Sequence, residues 1–120
     1  MENTRYKDLF MHLKNKGFNV FTPGQHQGEC IEPYVVIKDA GTTQFQGFST
    51  TQNLYDIMCY VPASKFTALE SFVDSVEESM KELFPMFKSA QYRTPSFYEE
   101  SIKGYMISTQ YINYRKFYNN

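Results

Sequence analysis

The chain has no Trp, two Cys, five Pro and six Gly among its 120 residues, and the shortages narrow what it can be. Cys30 follows a turn-rich segment and Cys59 sits inside a β-patterned run, a pair too few and too differently placed for a disulfide framework. Both read as reduced thiols, with Cys59 a small core residue. No run approaches the ~20 apolar residues of a membrane span. The opening Met-Glu-Asn-Thr-Arg-Tyr-Lys lacks the charged-then-apolar plan of a signal peptide. The expectation is synthesis in the cytoplasm and no membrane partner. A net charge of −1 gives no overall basic field to recruit nucleic acid or anionic lipid.

What the chain does have is rings, ten Tyr and eleven Phe. A chain of this length holds one domain, residues 1–120, that buries roughly two-thirds of its unfolded surface. Aromatic side chains of about 150–250 Å² each supply more burial than such a domain needs, so some are expected at an interface.

Periodicity divides the chain into an α+β pattern. Tyr6, Leu9, Phe10 and Leu13 recur at helical spacing behind Asn3 or Thr4, and Gly17 supplies a left-handed stop, which predicts a helix over 4–16. Phe18, Val20 and Phe21 predict a short strand ending at Thr-Pro-Gly, and Tyr-Val-Val-Ile-Lys a second strand over 33–39. The Thr, Gln, Ser and Gly residues of 41–53, with Phe45 and Phe48 embedded, predict a long hairpin tip or flexible loop. A third strand over 53–61 puts Tyr55, Ile57, Cys59 and Val61 on one face, the expected core face, and Leu54, Asp56, Met58 and Tyr60 on the other.

Ser64 is the expected cap of a helix running to Phe84, where Pro85 stops it. Phe66, Leu69, Phe72, Val73, Val76, Met80, Leu83 and Phe84 make its apolar stripe, over about 30 Å. Phe97–Ser101 reads as a short edge strand or extended arm within 94–103, and Tyr105–Tyr114 as the last strand. The expected fold is α+β, a mainly antiparallel sheet of about four strands with the N-terminal helix and the long central helix on one face.

Groups that could carry chemistry have plainer readings. His26-x-x-x-Cys30 with Glu29 is metal-capable, but zinc needs four ligands or three plus water and no second cluster lies nearby. A polar loop is the favoured reading, with no metal and no cofactor. Either cysteine could meet His12 or His26 only through long-range folding. Glu99 and Glu100 are adjacent on a strand and point apart. Gly41 and Gly47 are followed by no Lys-Ser/Thr, so no phosphate cradle is indicated. No catalytic residue is assigned.

Two features remain. Glu70, Asp74, Glu78 and Glu82 recur every four residues on the exposed side of the central helix, where like charges cost a few tenths of a kcal/mol per pair. Glu77 with Lys81 offsets this internally. The stripe is a solvated face, or it meets basic residues of a neighbour such as Arg93, Lys103, Arg115 and Lys116, or it faces a space from which polyanions are repelled. The second feature is a sheet apolar on both sides: Met58, Tyr60, Met106, Ile112 and Tyr114 opposite the core would exceed the few hundred Å² of contiguous apolar surface usual for a monomer.

The order helix, polar loop, strand, Phe-rich loop, strand Leu54-Tyr-Asp-Ile-Met-Cys-Tyr-Val-Pro62, long helix, then Thr94-Pro-Ser-Phe-Tyr-Glu-Glu-Ser-Ile-Lys-Gly-Tyr-Met-Ile-Ser-Thr-Gln-Tyr111 resembles the small minor capsid or tail-terminator proteins of long-tailed bacteriophages. The resemblance covers about Tyr6 to Tyr114. It implies a homo-oligomeric ring of about six subunits that caps the tail tube and joins it to the head connector. DNA would pass through the lumen without specific binding. The virion neck would be the location, and the work would be assembly without turnover. It further implies that the loop 41–53 and the arm 94–103 contact neighbours or the tube. Candidate interface residues are Phe45, Phe48, Tyr60, Glu70, Asp74, Glu78, Arg93, Lys103, Tyr114, Arg115 and Lys116. A stopper on the capsid side of the neck is the nearest rival. A small-ligand or hydrolytic domain using Tyr55, Tyr60, Tyr105 or Tyr111 is the rival of another class.

Overall fold

The computed structural model describes residues 4–44 and 50–116, with side chains over 5–42 and 52–113. Helix α1, Thr4–Asn15, buries Leu9 and Leu13 completely, as the spacing predicts. Gly17, at a φ of +97°, turns the chain out of it, and the amides of Gly17 and Phe18 bond back to Lys14 and Leu13 carbonyls. The chain then lays β1, Val20–Phe21, parallel to the start of β2, Tyr34–Gln44.

β2 is longer than expected. Thr42 and Thr43, with Thr50 and Thr51 of β3, suit a pleated strand, so the stretch predicted as a loop is strand at both ends. Gly41, at a φ of +107°, sits at a register shift after Asp39, and the Asp39 carboxylate accepts the Gly41 amide at 2.9 Å. That bulge carries β2 onward in pairing with β3. Phe45 and Phe48 lie outside the described residues.

β3, Thr50–Pro62, keeps the predicted alternation, with Tyr55, Ile57, Cys59 and Val61 all fully buried. The predicted 21-residue helix after it is three pieces: a 3₁₀ segment Ala63–Ala68, helix α2 Leu69–Met80, and a 3₁₀ turn Lys81–Leu83. Ser64 makes no capping bond. Instead the Ala63 amide bonds to the Lys103 carbonyl at 3.1 Å and Lys65 leaves helical geometry, so the first turns run flat with nothing buried. The regular helix is therefore about 18 Å long. Leu69, Val73, Val76 and Met80 form its buried stripe, while Phe66 and Phe84, placed in the stripe by spacing, are 46% and 66% exposed.

β4, Lys88–Arg93, was not expected, because its residues carry no alternating apolar pattern. It lies at the sheet edge, where side chains need not be buried. β5, Phe97–Glu99, is the short edge strand foreseen, and the segment 94–103 is folded home rather than extended as an arm. Thr94 and Ser108 exchange bonds, and the Cys30 amide donates to the Ile102 carbonyl at 2.7 Å. β6, Gly104–Lys116, runs the whole length of β3.

The fold is α+β with two α-helices on one face of a sheet ordered β1-β2-β3-β6-β4, with β5 also pairing to β6. All pairs except β1 with β2 are antiparallel. The main core lies between this sheet and the helices. A second cluster, Cys30, Tyr34 and Val36 with Phe21, Met58, Tyr60 and Ile102, covers part of the other face. The expected bare second face is thus partly roofed by the 22–33 loop. No helix among the described residues is long and apolar enough to cross a membrane.

Candidate functional site

The acidic stripe of α2 is balanced largely inside the chain. Arg93, from β4, reaches Asp74 at 2.6 Å and both carboxylate oxygens of Glu77, and the Thr109 hydroxyl donates to Glu77 at 2.8 Å. Burial works against the Glu77 carboxylate, but bonds from Arg93 and Thr109 together with the Arg93 charge prevail and hold its carboxyl below the ordinary value. Lys81 pairs with Glu78 rather than Glu77, at 3.1 Å, and Lys16 of α1 takes Glu82 at 2.7 Å. Arg93 is therefore spent within the subunit and is not the free partner for a neighbour's stripe. Among the described residues, Glu70 alone of the four makes no ion pair.

The remaining predicted interface residues fall in separate places. Lys103, at a φ of +53°, closes the turn before β6 and stands 4.0 Å from Glu100. Tyr60 stacks 4.8 Å from Tyr34, which stacks 4.0 Å from His26. Tyr114, Arg115 and Lys116 pair by register with Gln52, Thr51 and Thr50 at the far end of β6. No single patch gathers the set.

That far end is the feature sequence reasoning passed over. Along β2, β3 and β6 the core ends at Ile37, Tyr55 and Tyr111. Two residues past Tyr55 and Tyr111, and beyond the bulge on β2, Thr42, Asn53 and Asn113 stand opposite one another in register. The Thr42 hydroxyl donates to Asn53 at 2.9 Å, Asn53 to Asn113 at 3.4 Å, and Asn113 to the Met86 carbonyl at 2.8 Å. This hydrogen-bonded rung closes the core, and the three strands run past it as an arm to Gln44, Thr50 and Lys116. The molecule measures 51 × 25 × 24 Å. The clue in sequence was the Thr pairs flanking residues 44–49.

Two clefts open on the helix face. One, of about 510 Å³, lies between the 3₁₀ segment and the 93–96 turn, with Phe66, Leu69, Pro95 and Ile107 in its walls and Glu70 at its edge. The other, of about 540 Å³, is lined by Met80, Phe84, Phe87 and Tyr111. Exposed Tyr92, Phe97 and Tyr98 add rings along the β4–β5 edge. Helical spacing hid Phe66 and Phe84 as cleft residues by assigning them to the core.

On the other face, a pocket of about 200 Å³ touches His26, Tyr34, Tyr60 and Glu99. The Cys30 thiol and the Tyr60 hydroxyl of this second cluster are held protonated. Burial, then the Glu29 charge, pushes the Cys30 thiol up to about 11, and burial, then Glu99, pushes Tyr60 up to about 12. Burial raises Cys59 as well. A protonated thiol is a poor nucleophile. Cys30 donates to the Glu32 carbonyl, and His12 donates instead to the Ser79 carbonyl at 2.8 Å. Among the described residues no three His, Cys, Asp or Glu side chains could hold one metal ion. Tyr55 and Tyr111, offered for a ligand site, are buried in the core.

No protein-family model matches the chain, and no curated protein matches it in sequence.

Proposed function

We propose that the chain is a structural subunit of a phage neck, assembling into a homo-oligomeric ring that ends the tail tube and joins it to the head connector. The observation that carries this reading is the three-stranded arm beyond the Thr42–Asn53–Asn113 rung. Strands that continue in backbone pairing past that rung lengthen the sheet and give a neighbour more of it to meet. Exposed rings at Phe66, Phe84, Tyr92, Phe97 and Tyr98 supply apolar surface for such contacts.

Light scattering of the purified protein over a concentration series, with negative-stain imaging of phage lacking it, tests the reading. A ring and tails of abnormal length in its absence are expected. Heads that leak DNA beside normal tails would move the subunit to the capsid side as a stopper. A strict monomer, with normal-length, head-joined tails in its absence, would overturn the proposal.

A further inference from the structure

The 22–33 loop brings His26 onto the second face of the sheet and completes a column of rings. Tyr60 stacks on Tyr34 at 4.8 Å and Tyr34 on His26 at 4.0 Å, with Phe21 edge-on to Tyr34 and His26. Two pockets share His26 and Tyr34: one of about 200 Å³ that Tyr60 and Glu99 also line, and one of about 330 Å³ edged by Glu29 and Glu32. Among the described residues no Lys or Arg lines either pocket, and none of these three glutamates makes an ion pair. Glu99 is half-buried. Burial, and then the Glu99 charge, push the Tyr60 hydroxyl up, which sets that carboxylate beside the column rather than out in water. His26 Nδ1 is shielded from solvent and bonds to nothing among the described residues.

We propose that the smaller pocket binds an organic cation, a guanidinium or alkylammonium group carried on an apolar stem. Aromatic rings attract a cation, the Glu99 carboxylate accepts its N–H bonds, and Val36, Met58 and Ile102 in the pocket walls suit the stem. With its proton on Nε2, His26 offers Nδ1 as a further acceptor. A neutral apolar ligand would leave the carboxylate and this nitrogen without partners, and an anion would meet three like charges. A bare metal ion fits no better, because among the described residues no three His, Cys, Asp or Glu side chains meet. The planar guanidinium suits the column best, since it stacks on a ring face while its N–H fork meets a carboxylate. The site stands without the ring reading. The head group is the same whether a free amine or an arginine side chain of a peptide carries it.

Titration of the full chain with ethylguanidinium, followed by the NMR signals of the imidazole protons, tests the site. The chain has two His, so His12, on the helix face, serves as the internal reference. A saturable shift of the His26 signals with those of His12 unmoved is expected, and none with N-ethylurea, the neutral ligand of the same shape. Glu99→Gln should weaken binding roughly tenfold or more, as loss of a charge-assisted bond does. Tyr60→Leu should weaken it about threefold to tenfold, and Glu70→Gln, on the helix face, should leave it unchanged. Thermal midpoints check that each variant folds, and Glu99→Gln, which removes no bulk, keeps the test open should Tyr60→Leu fail. Agmatine set against N-acetyl-arginine N-methylamide separates the sources: tighter binding of the first assigns the pocket to a free amine, and of the second to a peptide. No saturable shift of His26, an equal response to N-ethylurea, or unchanged affinity in Glu99→Gln overturns the proposal and leaves the ring reading untouched.

Discussion

The same three strands behave differently along their length. Between Tyr34 and Ile37, Tyr55 and Val61, and Met106 and Tyr111, β2, β3 and β6 carry helices on one face and the 22–33 loop on part of the other. Past the Asn53–Asn113 rung the backbone pairing continues to Gln44, Thr50 and Lys116. Pairing exchanges water bonds for backbone bonds at small net gain, whereas burial removes about 25 cal/mol per Å² of apolar surface from water. Stability therefore belongs to the covered half.

The sharpest way to break that comparison is to cut into the covered half. Leu69→Ala, which empties buried volume under α2, should cost about 2–5 kcal/mol in urea unfolding. An unchanged midpoint would show that α2 does not anchor the sheet.

Glu77→Gln removes the carboxylate that Arg93 and Thr109 share and should cost about 1–3 kcal/mol at neutral pH. Because the folded carboxyl lies below the unfolded value of 4.5, its contribution is present above that pH and is lost as the pH falls through the folded value. The acid limb of a stability–pH curve should flatten in the variant, and an identical limb would show that Glu77 carries none of it.

Gly104→Ala probes the roof over the second face. A methyl there would meet the Val61 carbonyl at 2.8 Å and Cys30 Cβ at 3.1 Å, a crowding worth about 1–3 kcal/mol in thermal unfolding. Smallest of all, Thr42→Ala at the root of the arm should cost no more than about 1 kcal/mol. Hydrogen exchange would sharpen the contrast directly: amides of Thr51 and Gln52 should exchange well before those of Ile57 and Cys59. Equal protection along β3 would abolish the division between core and arm.

Much of this division was legible in the residues. Strict alternation in Tyr55–Val61 marks the core face, since the strand period of two leaves no choice of side once four apolar residues share it. Leu9, Leu13, Leu69, Val73, Val76 and Met80 give the helix stripes in the same way, and Gly17 gives the stop of α1. What the chain could not disclose locally depends on partners distant in sequence. Lys103 takes the Ala63 amide and keeps the first turns after β3 in 3₁₀ form, which turns Phe66 from a core residue into a cleft wall. Arg93, from an edge strand with no apolar pattern, meets Asp74 and Glu77 and spends the charge that seemed free for a neighbour. The Thr42–Asn53–Asn113 rung exists only because strand register brings three polar residues into one line. Periodicity is a property of neighbours in sequence and fixes faces, while register, edges and charge partners are settled by contacts across the sheet that no local pattern encodes.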